Sequence, residues 1–374
     1  MNTFRERTEK FWNWFILHEE ELHNFLKDPK NYDSQGFMDM IGHTLENIFS
    51  KNMYFEFSKN NGFSFSTGGD HFLFYLLPYI IAKAPISLKY NWTFSPYKMG
   101  GISDTFGFKT ETSVITIADI DILTGYDDKK NIFYIGFYNE EMSQMDDEKS
   151  LHMFLILLDS LLGENIVEMY IGPIESLKEK KGKMIKMKDL FSYIEKKLAD
   201  TGREFFHNPA DSYTGYELKP QEKTSLRSDL YMGTTCFFDL IGAFYNENPA
   251  IADSIASYGA KACFIYYNNL NEPPDIAINK RNEIIDKIET FVLGKKDSGN
   301  EIGIIMGTGL GEDNCYIDIL LFDEEKFFEN IRTTLKEYEF DFYFSEFKQN
   351  GEVIELSENN FIRNDNRFPG RFTS

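Results

Sequence analysis

Apolar side chains recur at helical spacing near the start of the chain. Phe11, Phe15, Leu22 and Phe25 lie three, four or seven residues apart, and His18 completes the stripe. Positions three and four apart share one face of a helix, so this spacing predicts an amphipathic helix. A second stripe of the same kind follows directly. The sequence therefore predicts that the chain begins with a pair of helices.

Three later segments combine alternating apolar and polar positions with a helical stretch. Each of them has the order strand, strand, helix, strand, and they cover Met53–Pro96, Ser113–Glu175 and Glu301–Lys348. Alternation indicates a half-buried strand, whereas a period of about 3.6 residues indicates a helix. A helix that covers one face of an antiparallel sheet is a stable two-layer arrangement. The three segments share negligible sequence identity, so the repeat is one of architecture.

The third segment is preceded by a further strand at residues 261–269 and a helix at residues 281–294. The extended order is strand, helix, strand, strand, helix, strand, which is the ferredoxin-like split βαβ order. The first two segments can be combined in the same way. We therefore predict the α+β class, with two tandem ferredoxin-like two-layer sandwiches of antiparallel strands after the N-terminal helical pair. The two halves could form separate sheets or one continuous sheet.

Chain length and turn-forming residues together predict two halves. A chain of 374 residues is longer than one ordinary domain. Residues 201–228 are rich in turn formers and lack periodicity, which predicts a linker. We expect residues 1–200 to contain the helical pair and the first sandwich. Residues 229–374 then contain the second sandwich and a C-terminal tail at residues 359–374.

The charge balance restricts the class of partner. The chain has 39 basic and 60 acidic residues and a net charge of -21, which repels phosphate groups. Nucleic acid and anionic membranes are therefore disfavoured, whereas a basic protein partner is compatible with this charge. The most apolar segment, His71–Ala84, contains Pro78 and is too short to cross a bilayer comfortably. With no signal peptide and no C-x-x-C pair, we expect a cytoplasmic protein.

The stretch "HEEELH" resembles a zinc-protease motif but has the wrong spacing. The motif H-E-x-x-H places its histidines four residues apart, whereas His18 and His23 are five apart. A helix turns side chains five residues apart by roughly 140°, so these two imidazoles are not expected to share an ion. We predict a packing role for His18 and no metal site.

The stretch "GTGLGEDN" at residues 307–314 resembles a dinucleotide-binding loop. The fingerprint G-x-G-x-x-G must open a helix, but here Glu312 replaces the third glycine and two predicted strands flank the segment. We therefore predict no cofactor and interpret the segment as the end of a β-hairpin. Glu312, Asp313 and Asn314 would be exposed there as a contact point for a partner.

Two groups of acidic side chains are candidates for catalysis or metal binding. Glu148, His152 and Asp159 lie near one face of a predicted helix, where they could hold a metal or form a base with an orienting carboxylate. Asp119 and Asp121 alternate on a predicted strand and so share a face. The alternative in both cases is a solvated polar stripe.

Short motifs spread over most of the chain resemble uncharacterised bacterial proteins of unknown function. They are "FWNWF", "AKAP", the strand that contains Trp92, "LRSDLYMGTT" and "YIDILLFD". The resemblance implies a bacterial cytoplasmic protein and assigns no catalytic residue.

Two classes of function follow from these observations. The first is a non-catalytic binding or regulatory protein, for example an acidic inhibitor or immunity-type protein for a basic partner. It is favoured by the charge and by the lack of a complete catalytic motif. The alternative is a hydrolase or metal-dependent enzyme whose site is assembled between the two halves.

Overall fold

The computed structural model describes residues 2–58, 60–110, 113–221, 225–269, 272–295 and 299–356. The predicted C-terminal tail at residues 359–374 lies outside them. The α-helices are α1 (Phe4–Lys27), α2 (Ser34–Phe49), α3 (Leu73–Ala82), α4 (Ile86–Lys89), α5 (Asp147–Leu162), α6 (Glu164–Tyr170), α7 (Leu190–Asp200), α8 (Phe238–Tyr245), α9 (Ala250–Ser257), α10 (Pro274–Lys287) and α11 (Glu324–Leu335).

The chain contains strands as well as these helices, which is consistent with the predicted α+β class. The strands are β1 (Tyr54–Ser58), β2 (Gly62–Ser66), β3 (Thr93–Ser95), β4 (Gly107–Lys109), β5 (Val114–Thr116), β6 (Asp121–Asp127), β7 (Ile132–Tyr138), β8 (Ile171–Ser176), β9 (Ile185–Lys186), β10 (Thr214–Glu217), β11 (Leu230–Thr235), β12 (Lys261–Asn268), β13 (Gly303–Gly311), β14 (Asn314–Leu321), β15 (Phe342–Glu346) and β16 (Val353–Glu355). The order strand, strand, helix, strand is present in each of the three predicted segments.

The chain forms two compact units. Unit 1 consists of Met1–Asn52 and Ser212–Ser374, and unit 2 consists of Met53–Asp211. The N-terminal helices thus belong with the second half of the chain, whereas the sequence groups them with the first. Their attachment is long-range: the backbone N–H of Phe4 donates to the carbonyl of Gly259 at 2.8 Å. Local periodicity carries no information about such contacts.

Unit 1 is built on one seven-stranded antiparallel sheet. Its strand order is β10-β11-β13-β14-β12-β15-β16. On one face, alternate residues of β12 and β14 pack with α10 and α11 in a single core that includes Ile265, Ile284 and Phe327. On the other face, Phe264 of β12 packs against Phe244 of α8. Because both faces are covered, the central strands are almost continuously buried.

The edge strand β10 lies within residues 201–228, for which the sequence predicts a linker. Its four residues pair antiparallel with β11, and Tyr216 of β10 is buried. Strand β11 starts thirteen residues after the last residue of β10, and turn-forming residues separate the two strands. A short strand among such residues resembles a linker in the sequence alone.

Unit 2 contains three smaller sheets, and two of them are mixed. β1-β2-β3 has a parallel β2–β3 pair, β8-β7-β6-β9 has a parallel β7–β8 pair, and β4 and β5 form a two-stranded ribbon. The prediction of purely antiparallel sheets is therefore wrong for unit 2, and the tandem ferredoxin-like arrangement is not confirmed. A strand that returns through a helix runs parallel to the strand before that helix, so the two pair in parallel when they are neighbours. In unit 1 the returning strand β15 pairs with β12 instead, antiparallel.

Helix α1 runs without interruption through the stretch "HEEELH". It begins with a capping box between Thr3 and Glu6. The His18 ring is half-buried, with Nδ1 2.8 Å from the carbonyl oxygen of Trp14, and it stacks on the Trp14 ring. The predicted packing role of His18 agrees with this arrangement. Within the described ranges, no helix is long and apolar enough to cross a bilayer.

Candidate functional site

The end of the β13–β14 hairpin is anchored on a buried carboxylate. Glu312 is exposed, and its backbone N–H donates to the carbonyl of Asp229 at 3.0 Å. The backbone N–H groups of Asp313 and Asn314, both half-exposed, donate to Asp229 Oδ2 at 3.1 and 3.0 Å. A Cβ on Gly311 would lie 2.2 Å from this oxygen, so only glycine allows the approach. The predicted hairpin end is thus present, and Asp229 holds its backbone.

Asp229 is held by a second set of contacts on the opposite side. It is 5% exposed, and its Oδ1 accepts a hydrogen bond from the hydroxyl of Tyr316 on β14. Burial, with the Asp229 charge second, raises the pKa of Tyr316 well above its ordinary value. The hydroxyl therefore keeps its proton at neutral pH and remains a donor. This carboxylate consequently ties the residue before β11 to the hairpin turn and to the first residues of β14.

Two residues before Asp229, a buried ion pair holds the same segment to the sheet. The guanidinium of Arg227 forms a bidentate pair with Asp318 of β14, and the two side chains are 0% and 2% exposed. The rings of Phe264, Tyr316 and Phe347 surround the guanidinium at 4.9 to 5.0 Å. Arg227 has a φ of 61° in the left-handed region. Its conformation is therefore maintained by the packing around it.

Two further tyrosines complete this network. The Tyr245 hydroxyl donates to the carbonyl of Arg227 at 3.0 Å, and an Arg227 Nη2 donates to the Tyr216 hydroxyl at 3.4 Å. Burial raises the pKa of both tyrosines, so both hydroxyls stay protonated at neutral pH. Arg227 thus bonds to Asp318, Tyr216 and Tyr245 within one network. We interpret this network as a structural support for the hairpin end.

Glu148, His152 and Asp159 are spread along one helix. All three lie on α5, and eleven residues of helix separate Glu148 from Asp159 by roughly 16 Å along the axis. Glu148 and His152 are exposed. Burial, followed by the nearby Glu164 charge, raises the pKa of Asp159 to about 6. The Asp159 carboxyl is thus influenced by the Glu164 charge, and a shared site of Glu148, His152 and Asp159 stays a prediction.

Asp119 and Asp121 do not share a strand face. Asp119 lies in a 3-10 turn, Ile117–Asp119, where its carboxylate accepts hydrogen bonds from Thr116. Asp121 begins β6 and pairs with Lys180 at 2.7 Å and Lys186 at 2.8 Å. The expected shared strand face is therefore wrong, although Asp119 and Asp121 both line one pocket. The charge of Asp121 is thus matched by the two lysines.

The remaining candidates for metal or thiol chemistry are buried or scattered. Among residues that the structure describes, no three His, Cys, Asp or Glu side chains lie close enough to hold a metal ion. Cys236, Cys263 and Cys315 are all buried, and none of them forms a disulfide with a described residue. Burial raises the pKa of the Cys263 and Cys315 thiols, which disfavours the reactive thiolate.

Sequence reasoning missed the network around Arg227. Two signals could have indicated it. Asp318 is a charged residue inside the apolar strand "YIDILL", and a buried charge requires a partner. "LRSDL" places an arginine and an aspartate two residues apart before a strand, so the missing partner could have been sought there.

Comparison with known proteins does not place the chain in a family. No protein-family model matches it, and no curated protein or solved structure matches it.

Proposed function

We propose that this is a non-catalytic cytoplasmic binding protein that contacts a basic protein partner through the end of the β13–β14 hairpin. The observation that carries the proposal is the anchoring of residues 312–314 on Asp229, whose backbone carbonyl binds Glu312 and whose buried carboxylate binds Asp313 and Asn314. A contact held in one conformation before binding loses little entropy when the partner arrives. An exposed turn that only closed a hairpin would not require a buried charge beneath it.

Charge supports a basic partner over other classes. Most of the net charge of -21 belongs to the residues of unit 1, which also contains the hairpin. Such a surface attracts a cationic protein at long range and raises the association rate, with screening over about 8 Å at physiological ionic strength. An inhibitor or immunity-type role, in which the acidic protein masks a basic one, fits this chemistry.

We propose a ferredoxin-like unit as the platform for this contact. The order β12, α10, β13, β14, α11, β15 is the split βαβ order, and the spatial order β13-β14-β12-β15 keeps every neighbouring pair antiparallel. β10 and β11 extend this sheet on one side and β16 extends it on the other. The hairpin end is then the loop that joins the second and third strands of the motif, β13 and β14.

A salt-dependent pull-down with matched charge reversals tests the proposed contact. The bait variant Glu312→Lys/Asp313→Lys should retain at least about tenfold less of a basic partner from the native cell extract, because two reversed charges at a contact cost more than about 1.4 kcal/mol. The control Glu20→Lys/Glu21→Lys makes the same change of net charge on exposed positions of α1 and should retain the partner nearly unchanged. High salt should weaken retention by the wild type.

Two results would contradict the proposal. Equal losses in both variants would mean that bulk charge, and not the hairpin end, holds the partner. Recovery of no basic partner at low salt, together with turnover of a small substrate by the purified protein, would favour the alternative of a hydrolase or metal-dependent enzyme.

A further inference from the structure

A pocket of about 530 Å³ lies in unit 1 where α10 passes the β10 edge of the sheet. Its walls come from β10, β11, β13 and α10, and all of them belong to one compact unit. Arg281 and Ile278 line it from the helix, and Met232, Thr234 and Thr308 line it from the sheet. The volume lies in the range of small-molecule sites.

Arg281 is buried in this wall without a counter-ion. The residue is only 8% exposed, and it forms neither a hydrogen bond nor an ion pair with any of the described residues. Its Nε is fully buried and has no hydrogen-bond acceptor. The preceding residue of α10, Lys280, pairs with the carboxylate of Glu272 at 2.9 Å. By contrast, the more deeply buried Arg227 is paired with Asp318.

An unpaired buried guanidinium opposes folding, because it has lost its hydration and gained no partner. Burial accordingly lowers the pKa of Arg281. A fold retains such a group at a cost in stability, and an anion that enters the pocket would offset that cost. The guanidinium presents a planar fork that matches a carboxylate or a phosphate.

The rest of the pocket indicates what else the ligand carries. The hydroxyls of Thr234 and Thr308 lie 3.0 Å apart, and either can donate to an anionic oxygen. Met232 and Ile278 provide an apolar wall for a hydrocarbon body. Glu217 is exposed at the same pocket, and its negative charge disfavours ligands with several charges.

We propose that this pocket binds a small organic acid, with its single carboxylate or phosphate head on Arg281 and the threonine hydroxyls, and its apolar body against Met232 and Ile278. The site does not depend on the hairpin contact. It is a ligand site in its own right on the α10 face of the sheet.

Calorimetric titration of the full chain with hexanoate, hexyl phosphate and inorganic phosphate tests the site. We expect saturable one-to-one binding of at least one hexyl probe, more tightly than inorganic phosphate, and the tighter hexyl probe identifies the head group. Arg281→Met should weaken this binding at least about tenfold. The control Lys280→Met removes the neighbouring positive charge of α10 outside the pocket wall and should bind as the wild type does.

A second readout separates a ligand site from a structural arginine. Without ligand, Arg281→Met should unfold at the same or a higher temperature than the wild type, since it removes an uncompensated charge. Should Arg281→Met fail to fold, the proposal of an unpaired ligand-binding arginine is overturned. Thr308→Val keeps the arginine and should weaken binding several-fold. The absence of saturable binding by the wild type, or undiminished binding by Arg281→Met, would also overturn the site.

Discussion

Replacement of Asp318 by asparagine tests whether the buried ion pair holds unit 1 together. The carboxylate is 2% exposed and makes a bidentate contact with a guanidinium that is 0% exposed. Removing one partner of such a pair leaves an uncompensated buried charge and costs about 3–5 kcal/mol. Three aromatic rings within about 5 Å of the guanidinium offset part of this cost. The asparagine oxygen also still accepts one hydrogen bond. We therefore expect a loss of about 3 kcal/mol for Asp318→Asn and about 5 kcal/mol for Asp318→Leu.

Urea unfolding followed by tryptophan fluorescence measures this loss in unit 1. Trp12 and Trp14 report on unit 1, and a Trp92→Phe background removes the tryptophan of unit 2. The midpoint should fall while the slope stays unchanged, because the same surface is exposed on unfolding.

The double variant Arg227→Met/Asp318→Leu provides the critical comparison. It removes both charges and should be more stable than Asp318→Leu alone, since no unpaired guanidinium remains. A loss below about 1 kcal/mol for Asp318→Leu, or a double variant as unstable as the sum of the two single changes, would refute the assignment of a coupled buried pair.

Three further predictions concern single groups. The pKa of Asp159 in the folded state is about 6, which is above its ordinary value of 3.8. The folded state therefore binds this proton more tightly than the unfolded state does. The free energy of unfolding should fall by about 3 kcal/mol between about pH 4 and pH 6 and remain lower above pH 6. Asp159→Asn should abolish this loss in urea titrations, and the exposed control Glu148→Gln should not. Asp229→Ala should cost about 3 kcal/mol and speed hydrogen exchange at the hairpin turn, whereas unchanged exchange would contradict the anchoring. Gly233→Ala should lower the unfolding midpoint by an amount equivalent to about 2 kcal/mol, because the Cβ of the alanine would lie 2.5 Å from the carbonyl oxygen of Thr308. A variant as stable as the wild type would show that the two strands can move apart to admit this Cβ.

Local patterns predicted the elements of this protein well. The order strand, strand, helix, strand in three segments follows from periodicity alone, because each element buries one face of its own. The hairpin end at Glu312 could be predicted for the same reason, since glycine and polar residues interrupt two apolar strands. The spacing of His18 and His23 was also enough to predict that their side chains leave one helix in different directions.

Strand direction and the site depended on contacts between distant residues. Whether a returning strand pairs in parallel, as β3 does with β2, depends on which neighbour it meets, and no local pattern encodes that choice. The pairing of Arg227 with Asp318 joins residues 91 positions apart. Arg281 lies in a polar helical stretch whose sequence indicates a solvated side chain, yet the sheet buries it. Burial and charge pairing arise only when segments meet, so the tertiary structure decided which charged groups lie in the interior and which of them were matched.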